Sequence, residues 1–418
     1  MPSAPPPPAI TPTAPVAEVE FTQHPTRARL GPRQSLWLVA SMAITFLAAS
    51  SAPSPLYALY REAWGFSALM LTVAFASYAF AQLFSLLMFG ALSDYRGRRE
   101  VILLALGIEF VSTLMFWHAD SLAWLIGARV MQGLATGIAT SVLSASLLDL
   151  DRARGPLINS VVPMLGMALG ALGASALVQF APAPTRLVFD VLLVLFAVQG
   201  GLAYFLPETV ERRPGAWASM RPKVAVPAAA RATLGKVLPV NTAQWALGGF
   251  YLSLGPTLAR YVTGIDAPMI GGGLIATLVL SGAVAILLVR NHPPMAVLAG
   301  GAIVLAAGLV LTLVGMHLHS TALFFLGTLI AGLGFGAGFN GSVRSLVPLV
   351  SPQERAALMS GFFVLSYLAF SVPAIAAGLS VGLFGLESTS IGYGIVLVAT
   401  VLLALVLMAL ARRQALAA

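Results

Sequence analysis

Two ionisable side chains in this sequence stand where chemistry would have to proceed without water. Asp, Glu, Lys and Arg make up only 9% of the 418 residues. Glu109 and Arg129 nevertheless fall inside apolar runs, "ILLALGIEFVSTLMF" and "WLIGARVMQGLATG". An ionisable group at mid-bilayer depth costs about 2.5–3.5 kcal/mol on insertion scales and marks a functional site by default. At 1.5 Å per helical residue the two lie about 13 and 18 Å from the same side, close enough to meet across antiparallel helices. Two readings stay open on the residues alone. One is a static ion pair, because a lone buried charge is far costlier than a paired one. The other is a carboxyl that exchanges a proton beside an arginine facing a cavity. Other chemistry is poorly supplied. No His, Asp or Glu cluster has metal-ligand spacing, no glycine-rich phosphate loop follows a strand, and the chain has no cysteine. No cofactor, no metal and no enzymatic activity are expected.

The second concentration of chemistry is the stretch "GALSDYRGRRE", residues 90–100, where five of eleven residues are charged. Gly90 lets a neighbouring helix approach, and Asp94 suits the positive end of a following helix. Gly97 permits a tight turn, and Arg98 and Arg99 can bond helix-end carbonyls or acids.

The elements around these residues must be membrane helices. The chain is 58% hydrophobic with a mean hydropathy of +0.91, against about half apolar for a globular domain. A bilayer core of about 30 Å takes roughly 20 apolar residues per helix. Runs such as 395–411 lack the alternation of a barrel strand. Twelve spans are expected, about 36–60, 67–92, 100–118, 121–149, 156–180 and 187–206, then 239–262, 269–290, 294–316, 320–349, 354–381 and 387–411. This gives a proline-rich disordered tail over 1–35, a six-helix bundle over 36–206, a basic linker over 207–238, a second bundle over 239–411 and a tail over 412–418. With both termini cytoplasmic, 19 of the 23 Lys and Arg fall inside, Arg61, Arg186 and Arg260 fall outside, and Arg129 is in a span. The positive-inside rule selects that topology and accounts for the net charge of +8 without nucleic acid. Arg far outnumbers Lys, and Ala and Gly abound, as in a bacterium with a GC-rich genome, so the bacterial cytoplasmic membrane is the expected location. The halves echo each other: "GLATG" at 133–137 returns as "GLGFG" at 332–336, and the turns 149–160 and 348–360 align at nearly the same offset. Twinned bundles are what alternating access requires.

The stretch 90–100 closely resembles the signature of the major facilitator superfamily, G-x-L-A/S-D-x-x-G-R-R/K, through Gly90, Leu92, Ser93, Asp94, Gly97, Arg98 and Arg99. Tyr95 stands where the family often has a base. Leu125, Arg129, Gln132 and Gly133 fit its L-x-x-x-R-x-x-Q-G pattern. The resemblance covers roughly residues 36–411. It implies an all-α polytopic fold of two pseudo-symmetric six-helix bundles, with spans 1, 4, 7 and 10 around a central cavity. Asp94 would then face the start of span 11 near Glu354 and Arg355 and hold the inner gate closed. It also implies a role for Arg129 in proton coupling; Glu109 is the companion candidate on its depth in span 3 alone.

On that layout the cavity candidates are Thr45 and Ser50 on span 1, Gln132 and Thr136 on span 4, Gln244, Trp245 and Tyr251 on span 7, and Asn340 on span 10. The set carries no charge and describes a largely neutral, apolar cavity. Pro53, Pro55 and Pro373 mark bends. The reading that follows is a monomeric secondary transporter in a lipid bilayer, exporting a small lipophilic compound against protons, similar to the drug–proton antiporter branch. The antiporter signature of span 5 is degraded: Gly166, Gly170 and Gly173 are present, but Ala171 replaces its proline. The alternative is a proton-coupled importer of a sugar, organic acid or other metabolite, towards which "LPETVERR" at 206–213 points weakly.

Overall fold

The computed structural model describes residues 30–222 and 224–417. Most of the proline-rich tail, residues 1–29, and Lys223 of the linker lie outside the described residues. Among those described, every regular element is a helix. The first half comprises α1 (Pro32–Ser51), α2 (Pro53–Trp64), α3 (Ala68–Phe89), a single turn α4 (Ser93–Arg96), α5 (Arg98–Trp117), α6 (Leu122–Leu150), α7 (Gly155–Phe180) and α8 (Leu187–Ala203). After the short α9 (Ala216–Ser219) come α10 (Ala228–Ser253), α11 (Gly255–Thr263), α12 (Pro268–Val289), α13 (Pro294–His317), α14 (Thr321–Leu346), α15 (Pro352–Phe384) and α16 (Leu386–Ala417).

Ten of the expected spans are long and apolar enough to cross a membrane. The other two are present but differ in kind. α8 has 17 residues, a length of about 26 Å. The α10–α11 span carries Arg231, Lys236, Asn241 and Gln244, which dilute its apolar character. Several boundaries also move. α1 starts inside the expected tail, α10 starts inside the expected linker, and α16 continues across residues 412–417.

Proline and glycine explain the local breaks. The first span divides where Pro53 and Pro55 withdraw two backbone donors. The seventh divides at Leu254, ahead of Pro256, so the two symmetry-related spans break alike. Pro373 does not divide α15. Starts are marked by proline in the first turn of α7, α12, α13 and α15, where a missing N–H costs nothing. Ser351 and Glu354 form a capping box on α15.

The twin glycine pairs do the same work in each half. A Cβ on Gly133 would sit 2.3 Å from the Tyr78 carbonyl oxygen of α3, and one on Gly137 2.7 Å from that of Gln82. In the second half, Gly332 meets the Leu278 carbonyl of α12 at 2.3 Å and Gly336 that of Gly282. α6 is seated on α3 as α14 is on α12 by helix-to-helix approach that only small residues allow. Between the halves, α7 packs against α12 and α3 against α15, while α2 touches α11 and α12. Large apolar side chains such as Val194, Leu288, Ile303 and Leu403 stand exposed on the periphery, as lipid contact requires. The end bearing residues 90–99 and the linker is called the linker face below, and the opposite end the far face.

Candidate functional site

The turn between α3 and α5 is bound to its own half of the molecule. Arg98 donates through Nη1 to Ser93 Oγ and Asp94 Oδ1, both at 2.6 Å, and through Nε to Asp149 Oδ2 of α6 at 3.0 Å. The Asp94 side chain is 56% exposed, and Glu354 is engaged by Ser351 at the start of α15. Among the described residues no hydrogen bond or ion pair joins Asp94 to Glu354 or Arg355. Glu208, just beyond α8, caps α5. Its carboxylate accepts from the backbone N–H of Arg98 at 2.6 Å and of Arg99 at 3.2 Å, where a helix N-terminus favours negative charge. Gly97 has φ +97°, and a Cβ there would lie 2.6 Å from Glu208 Oε2, so both backbone and space call for glycine. Thr209 donates to the same Asp149 oxygen as Arg98, and Arg212 pairs with Glu100 at 3.0 Å.

Deeper in the first half, Glu109 of α5 and Arg129 of α6 are fully buried. They form no ion pair; Gln132 stands between them. Arg129 Nη1 donates to Gln132 Oε1 at 2.7 Å, and Gln132 Nε2 donates to Glu109 Oε1 at 3.3 Å. Arg129 also donates through Nε to the Tyr57 hydroxyl at 2.7 Å and through Nη1 to the Ser50 carbonyl at 2.8 Å. The rings of Tyr57, Tyr78 and Phe116 lie 5.2–5.7 Å from its guanidinium carbon, within cation–π range. Glu109 Oε2 and Arg129 Nη2 have no partner.

Between the halves runs an aromatic seam. The Trp245 ring of α10 lies 5.1 Å from Tyr367, 5.7 Å from Phe370 and 6.4 Å from Phe339. Phe370 lies 5.0 Å from Phe75 of α3, and Tyr78 packs into the same cluster. These rings carry no carboxylate, ammonium or guanidinium, which suits uncharged planar surfaces.

The comparisons with known proteins agree with this architecture. Residues 38–367 match the Major Facilitator Superfamily. The chain belongs to that superfamily. No curated protein matches it in sequence. Among solved structures, the nucleoside transporter NupG is similar with a TM-score of 0.69 and 13% identity, over 90% of this chain and 99% of that one. A bacterial homolog of the human lysosomal transporter Spinster, inward-facing and unoccupied, gives 0.69 and 16% over 91% and 97%. The human organic anion transporter MFSD10 gives 0.61 and 18% over 91% and 100%. At these identities the likeness is one of fold.

The candidate residues do not gather in one place. Ser50, Gln132, Arg129 and Glu109 come together in the buried node; Ser50 joins through its carbonyl, while its hydroxyl bonds Leu47. Thr136 is buried one turn further along α6 with its hydroxyl unpartnered. Trp245 lies on the seam. Gln244 is buried against Asn241, its Oε1 unpartnered, and Asn340 accepts from Arg344 at 3.2 Å. Two candidates point elsewhere. Thr45 accepts from Gln199 of α8 at 2.9 Å, and Tyr251 bonds Thr328 inside the second bundle. Two of the three signature glycines of α7 serve packing: a Cβ on Gly166 or Gly170 would strike the Ile44 or Ala48 carbonyl of α1, whereas one on Gly173 would meet nothing within 4 Å. Sequence reading missed Tyr57 and Glu208. Tyr57 follows the two prolines of span 1 by two residues, and Glu208 lies in the "PET" noted after span 6; the side-chain meetings are long-range.

Proposed function

We propose that the chain is a secondary active transporter that exports a small, uncharged or weakly charged lipophilic compound across the bacterial cytoplasmic membrane in exchange for protons. The linker face and both termini are cytoplasmic, and residues 36–206 and 239–411 rock as two units about the α7/α12 and α3/α15 seams. The observation that carries this reading is the buried Glu109 carboxylate, held apart from Arg129 by an amide and with one oxygen unpartnered. A group buried this way is retained for the work it does rather than for stability. The aromatic seam, whose own side chains carry no charge, supports a lipophilic cargo. Asp94, bonded to Arg98 at the start of α5, fits a carrier open towards the linker face.

The test is proton exchange in proteoliposomes with a trapped pH-sensitive dye and a panel of neutral and cationic aromatic compounds. With a proton gradient imposed, an exported compound dissipates it in the wild type. Glu109→Gln is expected to abolish that dissipation while retaining binding of the compound. Cotransport of protons with a sugar or organic acid in the same direction would instead select the import reading.

A further inference from the structure

Pro53 contributes no N–H to its helix, so the carbonyl of Ala49, four residues earlier, has no helical donor. The Gln132 side chain replaces it, with Nε2 donating to Ala49 O at 3.0 Å. Arg129 reaches the next carbonyl, Ser50, and the Tyr57 hydroxyl. α6 thus grips the first span on both sides of its proline break: Ala49 and Ser50 before it, Tyr57 after it.

The orientation of the Gln132 amide follows from its partners. A guanidinium only donates and a carbonyl only accepts. Oε1 must therefore face Arg129, and Nε2 must face Ala49 and Glu109. Glu109 Oε1 is then an acceptor, and Oε2 has no partner. A proton on Oε1 would set two donors against each other. A proton on Oε2 would be a buried donor without an acceptor, the costly case. A half-turn of the amide lets its oxygen accept the proton of a neutral Glu109. The same half-turn drives the amide N–H against the Arg129 donors and strips Ala49 of the side-chain donor that stands in for the missing N–H of Pro53.

We infer that Gln132 is a positioning residue through which protonation of Glu109 and the grip of α6 on the proline break of the first span exclude one another. The inference rests on Glu109 as the proton site. Loosening the grip frees α2, which packs against α11 and α12 of the second bundle and so forms part of the far-face closure. Proton uptake is thereby transmitted to the gate through one amide. The charged and titratable groups around Glu109 leave it this role. Arg129 faces it from α6 and Tyr78 from α3, and Tyr57 of α2 is reached through Arg129. Arg33 of α1, Asp94 and Arg96 of α4 and Asp190 of α8 are exposed at the helix ends.

The native chain has no cysteine, so spin labels at Glu62→Cys on α2 and Ile265→Cys beyond α11, both exposed positions, report far-face separation alone. The measurement is double electron–electron resonance on the full chain in nanodiscs, at acid and alkaline pH. The labelled parent should change its distance distribution with pH, and Glu109→Gln should abolish the change. Gln132→Leu should abolish it as well, although Glu109 remains. Loss in Glu109→Gln with an intact response in Gln132→Leu would overturn the role of the amide and leave the proton site standing. A response that survives Glu109→Gln, or is absent from the parent, would remove the proton site and the inference with it. Pro53→Ala covers the case in which Gln132→Leu does not fold. By restoring a backbone donor to Ala49 it should cut the response at least about twofold, and an undiminished response overturns the inference.

Discussion

At the scale of single residues, the node is a problem of satisfying polar groups in a place without water. Arg129 has five N–H donors in a rigid fork, and three partners converge on it from α2, the end of α1 and α6 itself. Arg129→Met would leave the Tyr57 hydroxyl and Gln132 Oε1 short of a donor, at about 1–3 kcal/mol for each buried group left unsatisfied. The expected result is a clear fall in the thermal midpoint of detergent-solubilised protein. Arg129→Lys should fall less far, because charge is kept while the fork is lost; equal midpoints for the two variants would mean that the fork geometry does not matter. The positions of Glu109 and Arg129 were legible in the sequence because charge inside an apolar run is conspicuous. Their relation was not. Depth along two helices brings them near each other but says nothing of helix rotation, and rotation places Gln132 between them. The same limit explains Thr45 and Tyr251, which span membership puts near a cavity and helix rotation turns towards α8 and α14.

At the scale of elements, hydropathy and charge located nearly every helix, and proline located the break of the first span. Ends were less legible, because a helix whose last turns leave the bilayer no longer needs apolar residues. α10 accordingly extends back through Arg231 and Lys236, and α16 forward over residues 412–417. The signature turn shows how a local motif depends on a distant segment. The N-terminus of α5 has no cap from the residue before it. Glu208, 110 positions away from Arg98, supplies the carboxylate. Loss of a helix cap costs about 0.5–2 kcal/mol, so Glu208→Ala should lower the thermal midpoint modestly. It should also raise amide hydrogen exchange in the first turn of α5. Gly97→Ala should perturb the same turn more strongly, since it adds backbone strain at φ +97° to a Cβ 2.6 Å from the carboxylate. Unchanged exchange in both variants would show that the α5 end is held by its own residues.

At the scale of the whole molecule, the question is what keeps the two bundles closed at the far face. Part of the answer lies in α7 and α12. Met269 N–H donates to Gln179 at 3.1 Å near their far ends, and a Cβ on Gly272 would lie 2.2 Å from Ser175 Oγ and 2.6 Å from the Ala171 carbonyl. This is contact that an added side chain cannot share, and α7 is further backed on α1 by Gly166 and Gly170. Packed interfaces of this kind tend to switch between discrete arrangements rather than deform continuously. A wedge at Gly272 should therefore shift the population towards the arrangement in which these surfaces are apart. Gly272→Val, in the spin-labelled Glu62→Cys/Ile265→Cys background, is expected to lengthen the far-face distance at every pH. A single cysteine in place of Asn340, near the linker-face end of α14, should become less reactive to water-soluble maleimide as that face closes. The two readouts must move in opposite senses if the chain alternates between faces. Lengthening at the far face with no loss of reactivity at position 340 would mean that the valine had merely loosened the seam, and that the two faces are not coupled through the bundles.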